Sequence, residues 1–178
     1  MKSIQLLMVS ALLFLGVTAC NSDKNTSTMT SDSTAVANGA KVRIKTVHGD
    51  IVYQFYPDKA PNTVKRITTL IKDGFYDGLI FHRVVPGFVI QGGDPTGTGR
   101  GGSGKNLKAE FSDLKHVKGS VAMARAADPD SADSQFYIAL NATPHLDGKY
   151  TIFGMVTEGM EVLDKVSQGD KMLTVTLE

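Results

Sequence analysis

The sequence predicts a mainly β domain, an antiparallel barrel or sandwich that carries only two helices. Short runs rich in Val, Ile, Phe and Tyr recur between polar and glycine-bearing turns, as antiparallel strands do. Only two stretches show the helical spacing of apolar residues. The chain has 178 residues, of which 42% are hydrophobic, and shows no internal repeat, so it fits one core with appendages.

The chain opens MKSIQLLMVSALLFLGVTAC. One cation, Lys2, precedes an apolar run from about Ile4 to Val17, shorter than the ~20 residues of a spanning helix. This is the shape of a secretory signal peptide. Its Val17-Thr18-Ala19-Cys20 ending resembles the bacterial lipobox, which implies cleavage before Cys20 and a diacylglycerol on its thiol. The competing readings are an uncleaved anchor and a secreted protein with an incidental cysteine. Residues 1–19 are thus the expected leader. Residues 20–40 are the lipidated Cys20 and a linker of Ser, Thr, Asn, Asp and small residues, too polar to fold. A tether of this length reaches ~25 Å. The folded domain is expected over 41–178, anchored to a membrane of the bacterial cell envelope and facing periplasm or exterior.

Val42–Val47 and Ile51–Tyr56 read as a hairpin, with Gly49 in the turn. In KAPNTVKRITTLIKDG, Pro61 suits a first helical turn and Gly74 a position just past the end. Val64, Ile67 and Ile71 form one apolar stripe, so a helix is expected over Pro61–Lys72. Strands follow at Leu79–Val84, Phe88–Gln91, Ser120–Ala124, Gln135–Leu140 and Thr151–Val156. A second helix is expected over Met160–Val166, and a final strand over Met172–Leu177.

Composition excludes several classes. Nineteen Lys and Arg face eighteen Asp and Glu, which gives no electrostatic case for nucleic acid. A single cysteine forms no internal disulfide. His48, His82, His116 and His145 lack a metal-ligand spacing. Gly99 to Lys105 fits G-x-x-x-x-G-K, but Asn106 stands where a Ser or Thr should hold magnesium, and no helix is expected to follow. The reading is a surface loop, not a nucleotide site.

FHRVVPGFVIQGGD, Phe81 to Asp94, poses a different question. Arg83 and Gln91 sit in an otherwise apolar strand pair. An unpaired buried arginine is strongly unfavourable, so Arg83 either pairs with a distant carboxylate or lines a groove. The residues alone leave both open.

Further on come GSVAMARA, DSQFYIAL and PHLDGKYTIFG. In this order and spacing the four motifs resemble the cyclophilin family of peptidyl-prolyl cis/trans isomerases, over residues 41–178. The resemblance implies an eight-stranded antiparallel β-barrel capped by two helices, no cofactor, and action as a monomer on X–Pro bonds of exported polypeptides. It implies Arg83 as the catalytic arginine. Phe88, Val89, Tyr137 and Leu146 are then the proline pocket. Gln91 binds the peptide backbone, Ala124 and Arg125 pair with residues before the proline, and Gln135 lines the groove; His82 is a structural neighbour. His145 stands where one branch of the family has Trp, and Tyr150 where it has His, which implies weak cyclosporin binding and the compact bacterial branch. Val89, Tyr137 and Arg125 stand where Met, Phe and Asn are common. A non-catalytic, proline-binding chaperone or scaffold on the same fold is the alternative; such members usually lack the arginine.

Overall fold

The computed structural model describes residues 39–178. The expected leader, Cys20 and most of the linker lie outside these residues. Eight strands and two helices follow the expected order: β1 (Lys41–Thr46), β2 (Gly49–Phe55), α1 (Pro61–Lys72), β3 (Arg83–Val85), β4 (Val89–Gly92), β5 (Ser120–Met123), β6 (Phe136–Ala139), β7 (Ile152–Glu158), α2 (Met160–Leu163) and β8 (Thr174–Leu177). All pair antiparallel in one sheet, ordered β3-β4-β6-β5-β7-β2-β1-β8.

The sheet curls but does not close, so the expected barrel is a half-barrel. β3 and β8 are its two ends and do not pair with each other. The stretch before β3 instead lies against the stretch before β8: Gly78 N–H donates to Met172 O, Met172 N–H to Leu79 O, and Phe81 N–H to Asp170 O, at 2.7–2.9 Å. This change of partner explains two shortened strands. Leu79–Val84 was expected as one strand, but its first half belongs to this seam and only Arg83–Val85 joins β4. Met172 likewise belongs to the seam, and β8 starts at Thr174.

The larger core fills the concave face. It gathers Ile44, Ile51, Phe55, Phe81, Ile90, Ile138 and Phe153, all at most 1% exposed, under the stripe of α1 formed by Val64, Ile67 and Ile71. Truncating a buried aromatic such as Phe153 to Ala in such a core costs ~3–5 kcal/mol. α1 spans the expected residues and starts on Pro61. Its N-terminus has no local side-chain cap, because Ala60 precedes it. Glu110 supplies one from afar: Oε1 accepts from Asn62 N–H at 3.0 Å and Oε2 from Thr63 N–H at 2.9 Å. These are donors that a helix cannot satisfy internally, and a carboxylate also complements the helix dipole.

α2 is one turn, not the two turns expected over Met160–Val166. Val162, Leu163 and Val166 are buried as the periodicity required, but the helical bonding stops at Asp164. Gly159 starts this turn in the left-handed region at φ 78°, and a Cβ there would collide with the carbonyl of Asp50. Two short 3₁₀ turns, Pro129–Ser131 and Pro144–Leu146, were not expected from the sequence.

Replacing Glu110 with Ala should remove this distant cap without disturbing the sheet. Stability should fall by about 1–2 kcal/mol, read by urea unfolding with an unchanged m-value; an unaltered midpoint would show that water caps α1 equally well.

Candidate active site

The convex face of the sheet carries a second, smaller apolar cluster of Val89, Ala122, Tyr137 and Ile152. Strand alternation puts it there. In β4, Ile90 enters the main core while Val89 and Gln91 face outward; in β6, Ile138 enters the core while Tyr137 faces outward. Register then aligns the outward residues. Arg83 pairs with Gln91, Gln91 with Tyr137, Tyr137 with Ala122, and Ala122 with Ile152. One row of side chains thus crosses five strands, charged at one end and apolar at the other.

A cavity of about 190 Å³ opens beside this row. It lies below the ~300–1,000 Å³ of drug-sized sites and suits a single residue. Phe88, Val89, Tyr137 and Leu146 line it, with Tyr150 and Ala124 beside them. Arg83, Gln91 and Arg125 complete the rim. Gln135 lies instead on a neighbouring cavity of about 420 Å³, which shares Gln91, Ala124 and Arg125 with the first. His145 lines neither cavity. It is exposed and stacks on the Phe88 ring, with centroids 5.7 Å apart.

The sequence left open whether Arg83 is paired or lines a groove. It lines the groove: its side chain is exposed, and it enters no ion pair among the described residues. The guanidinium carbon sits 5.7 Å from the Phe88 ring centroid. Its direction is set by a chain of amides. Gln135 Nε2 donates to Gly101 O at 2.8 Å, and Gln91 Nε2 donates to Gln135 Oε1 at 2.9 Å. A backbone carbonyl can only accept, so each amide in the chain is fixed in orientation. Gln91 Oε1 is thereby turned toward Arg83, whose Nη1 donates to it at 3.4 Å. That long contact leaves the guanidinium's other donors for a ligand.

Arg125 does something its motif position did not show. Nη1 donates to the carbonyls of Ala126 and Ala127, and Nε and Nη2 both donate to Lys149 O. Its guanidinium lies 4.6 Å from the Tyr150 centroid, so it braces the groove wall. Ala124 N–H donates to Gln135 O, extending β5 past its assigned end.

His82 is held beside Arg83 with both ring nitrogens buried and unpartnered. Burial lowers its pKa, so it is neutral at pH 7 and poorly suited to accept a proton. Asp94 is 1% exposed, and its carboxylate accepts from Thr96 N–H at 2.7 Å and Gly99 N–H at 2.6 Å. Those bonds outweigh burial and hold its pKa well below the usual carboxylate range. The glycine-rich loop is folded around carboxylates: Gly104 and Lys105 N–H groups donate to Asp133. Lys105 leads into an isolated bridge at Leu107, not into a helix.

Sequence reasoning missed the partners beneath Tyr137. His116 bonds the Tyr137 hydroxyl and Asp147 bonds His116, and no local spacing linked these pairs, which lie 21 and 31 positions apart.

An exposed arginine thus stands over a small apolar cavity, flanked by amides on a β face. Residues 41–176 match the family model for cyclophilin type peptidyl-prolyl cis-trans isomerases. The chain is 48% identical over 139 residues to a peptidyl-prolyl cis-trans isomerase of Helicobacter pylori, covering 76% of this chain and 85% of that one. It is 47% identical over 130 residues to peptidyl-prolyl cis-trans isomerase B of Bacillus subtilis, covering 72% and 90%. Among solved structures it resembles a cyclophilin type isomerase of Cryptosporidium parvum, with TM-score 0.74 and 33% identity over 79% of this chain and 98% of that one. A second structure of that isomerase, determined in the presence of the dipeptide Ala-Pro, matches with TM-score 0.73 and 32% identity, covering 78% and 98%. The chain belongs to the cyclophilin type peptidyl-prolyl cis-trans isomerase family, and it is such an isomerase.

The amide chain yields a direct expectation. Gln135→Leu should free Gln91 to rotate and lower kcat/KM about tenfold, with the thermal midpoint little changed. Isomerase kinetics beside a melting curve would check it; full activity would show that Arg83 is aimed by other means.

Proposed function

We propose that Arg83 is the catalytic donor and that the cavity lined by Phe88, Val89, Tyr137 and Leu146 holds the substrate's proline ring. The observation that carries this reading is the register row, which sets a guanidinium with no ion-pair partner among the described residues at the mouth of the small cavity. The Ala-Pro structure of the C. parvum relative supports a proline-sized occupant.

Rotation about a peptide bond faces a barrier of ~18–20 kcal/mol, because resonance holds the amide planar. Uncatalysed X–Pro exchange takes tens to hundreds of seconds. No bond needs to break. The protein needs only to bind the twisted amide better than the planar one. As the bond twists, the prolyl nitrogen regains its lone pair, and Arg83, always protonated, donates to it or to the preceding carbonyl. The pocket fixes the ring, so the chain before the proline rotates. Gln91 and the main chain at Ala124 and Arg125 hold that flank, and the residues before the proline run toward the larger cavity beside Gln135. Turnover of hundreds per second needs ~7 kcal/mol off the barrier, at 1.36 kcal/mol per decade. One preorganised donor contributes ~3–4 kcal/mol, and orientation supplies the rest. His145, stacked on Phe88 in place of an indole, offers less flat apolar area, so weak cyclosporin binding is part of this reading.

The same proposal places the enzyme on the outer side of a bacterial membrane, anchored through Cys20 and acting as a monomer on exported proteins. The support is the leader-like opening of the sequence and its Val17-Thr18-Ala19-Cys20 ending.

Two variants separate these claims. Arg83→Ala should keep the fold and lower kcat/KM by two or more decades; a folded variant of near wild-type rate would remove Arg83 from the chemistry. Cys20→Ser should abolish labelling by a lipid precursor and shift the protein out of the membrane fraction, and unchanged fractionation would place any anchor elsewhere.

A further inference from the structure

We propose that His116 is a positioning residue for the proline pocket, clamping two of its walls together through the hydroxyl of Tyr137. The proposal rests on the pocket assignment above.

His116 is 2% exposed, and its imidazole runs nearly parallel to the Tyr137 ring, with centroids 6.0 Å apart and planes 14° apart. Its two ring nitrogens face different walls. Nδ1 lies 3.0 Å from Asp147 Oδ1, and Nε2 lies 2.9 Å from Tyr137 Oη. Asp147 also accepts from His116 N–H at 2.8 Å; this bond leads in keeping its pKa below the usual range, so it is ionised at neutral pH. A carboxylate can only accept, so Nδ1 carries the proton and donates. Burial meanwhile lowers the pKa of the imidazole, so the ring is neutral and Nε2 is left as an acceptor. The Tyr137 hydroxyl must therefore donate to it. Every group in the chain has one available role.

The consequence is geometric. Asp147 terminates the 3₁₀ turn Pro144–Leu146, which presents Leu146 to the pocket and His145 to the Phe88 ring. Thr143 begins that turn, and its N–H donates to His116 O at 3.0 Å. His116 thus holds both ends of the turn with its backbone and ring, and holds Tyr137 of β6 with its remaining nitrogen. The pocket's width between Tyr137 and Leu146 is fixed by one residue that does not line the pocket. The Tyr137 hydroxyl is spent on His116 and is not offered to the substrate.

Such a clamp should act on binding more than on the chemical step, because Arg83 is held separately through Gln91. Steady-state kinetics on a proline tetrapeptide with wild type, Tyr137→Phe, His116→Leu and the double variant would test this. Each single substitution should raise KM about threefold to tenfold, with kcat within about twofold, and the double variant should be no worse than the poorer single one. Multiplying effects in the double variant would overturn the clamp, because His116 would then act independently of the hydroxyl. Tyr137→Phe alone provides a second measurement should His116→Leu fail to fold. In ¹⁵N NMR of the histidine rings, that change should move the His116 Nε2 resonance and leave Nδ1 in place. An Nε2 resonance identical in both proteins would also overturn it. Separately, a proline peptide that leaves the Tyr137 ring signals unmoved in wild type would refute the pocket assignment and the positioning role together.

Discussion

The candidate site of this molecule depends on strand register. Arg83, Gln91, Tyr137 and Ala122 come from four strands and meet in one row only because β3, β4, β6 and β5 pair with these residues opposite one another. A slip of one residue in any pair would turn Gln91 or Tyr137 toward the main core and bring Ile90 or Ile138 out to solvent. The apolar residues that cannot leave the core therefore fix where the polar ones stand. Ile90 and Ile138, each fully buried, stand opposite one another in the core row next to the site row.

The polar groups are then aimed by acceptors that cannot rotate. Gly101 O directs Gln135, Gln135 directs Gln91, and Gln91 faces Arg83. Asp147 does the same for His116 and Tyr137. In both chains a group that can only accept stands at one end and a site side chain at the other. The carboxylates of Asp94, Asp133 and Glu110 apply the same logic to backbone: each gathers N–H groups from a loop or helix start that has no ladder to satisfy them. Little of this polar structure involves opposite charges in contact, so salt should affect the site less than the loss of any one hydrogen-bonding atom.

How much was legible in the sequence follows from the range of each interaction. The hairpin, α1 and the order of eight strands were legible because their signals are local: alternation, a Pro at the start, a Gly in the turn. The shortened β3 and β8 were not, since the segments before them change partner across the open edge of the sheet. α2 carried the right buried residues, but its hydrogen bonding ends after one turn. Read singly, Arg83 was ambiguous; four motifs taken together resolved it through family resemblance. The partners that aim the site, Gln135 for Gln91 and His116 for Tyr137, lie 44 and 21 residues away and are joined only by register and by the loop after β4.

The central claim is that the row places a proline ring in the small cavity with Arg83 at its reacting bond. A crystal structure of the protein with a short Ala-Pro peptide tests it most directly. The account predicts the ring against Phe88, Val89, Tyr137 and Leu146, the residue before it running toward Gln135, and an Arg83 nitrogen within ~3 Å of the prolyl nitrogen or the preceding carbonyl oxygen. A proline seated elsewhere, or a guanidinium turned away from the bound amide, would contradict it.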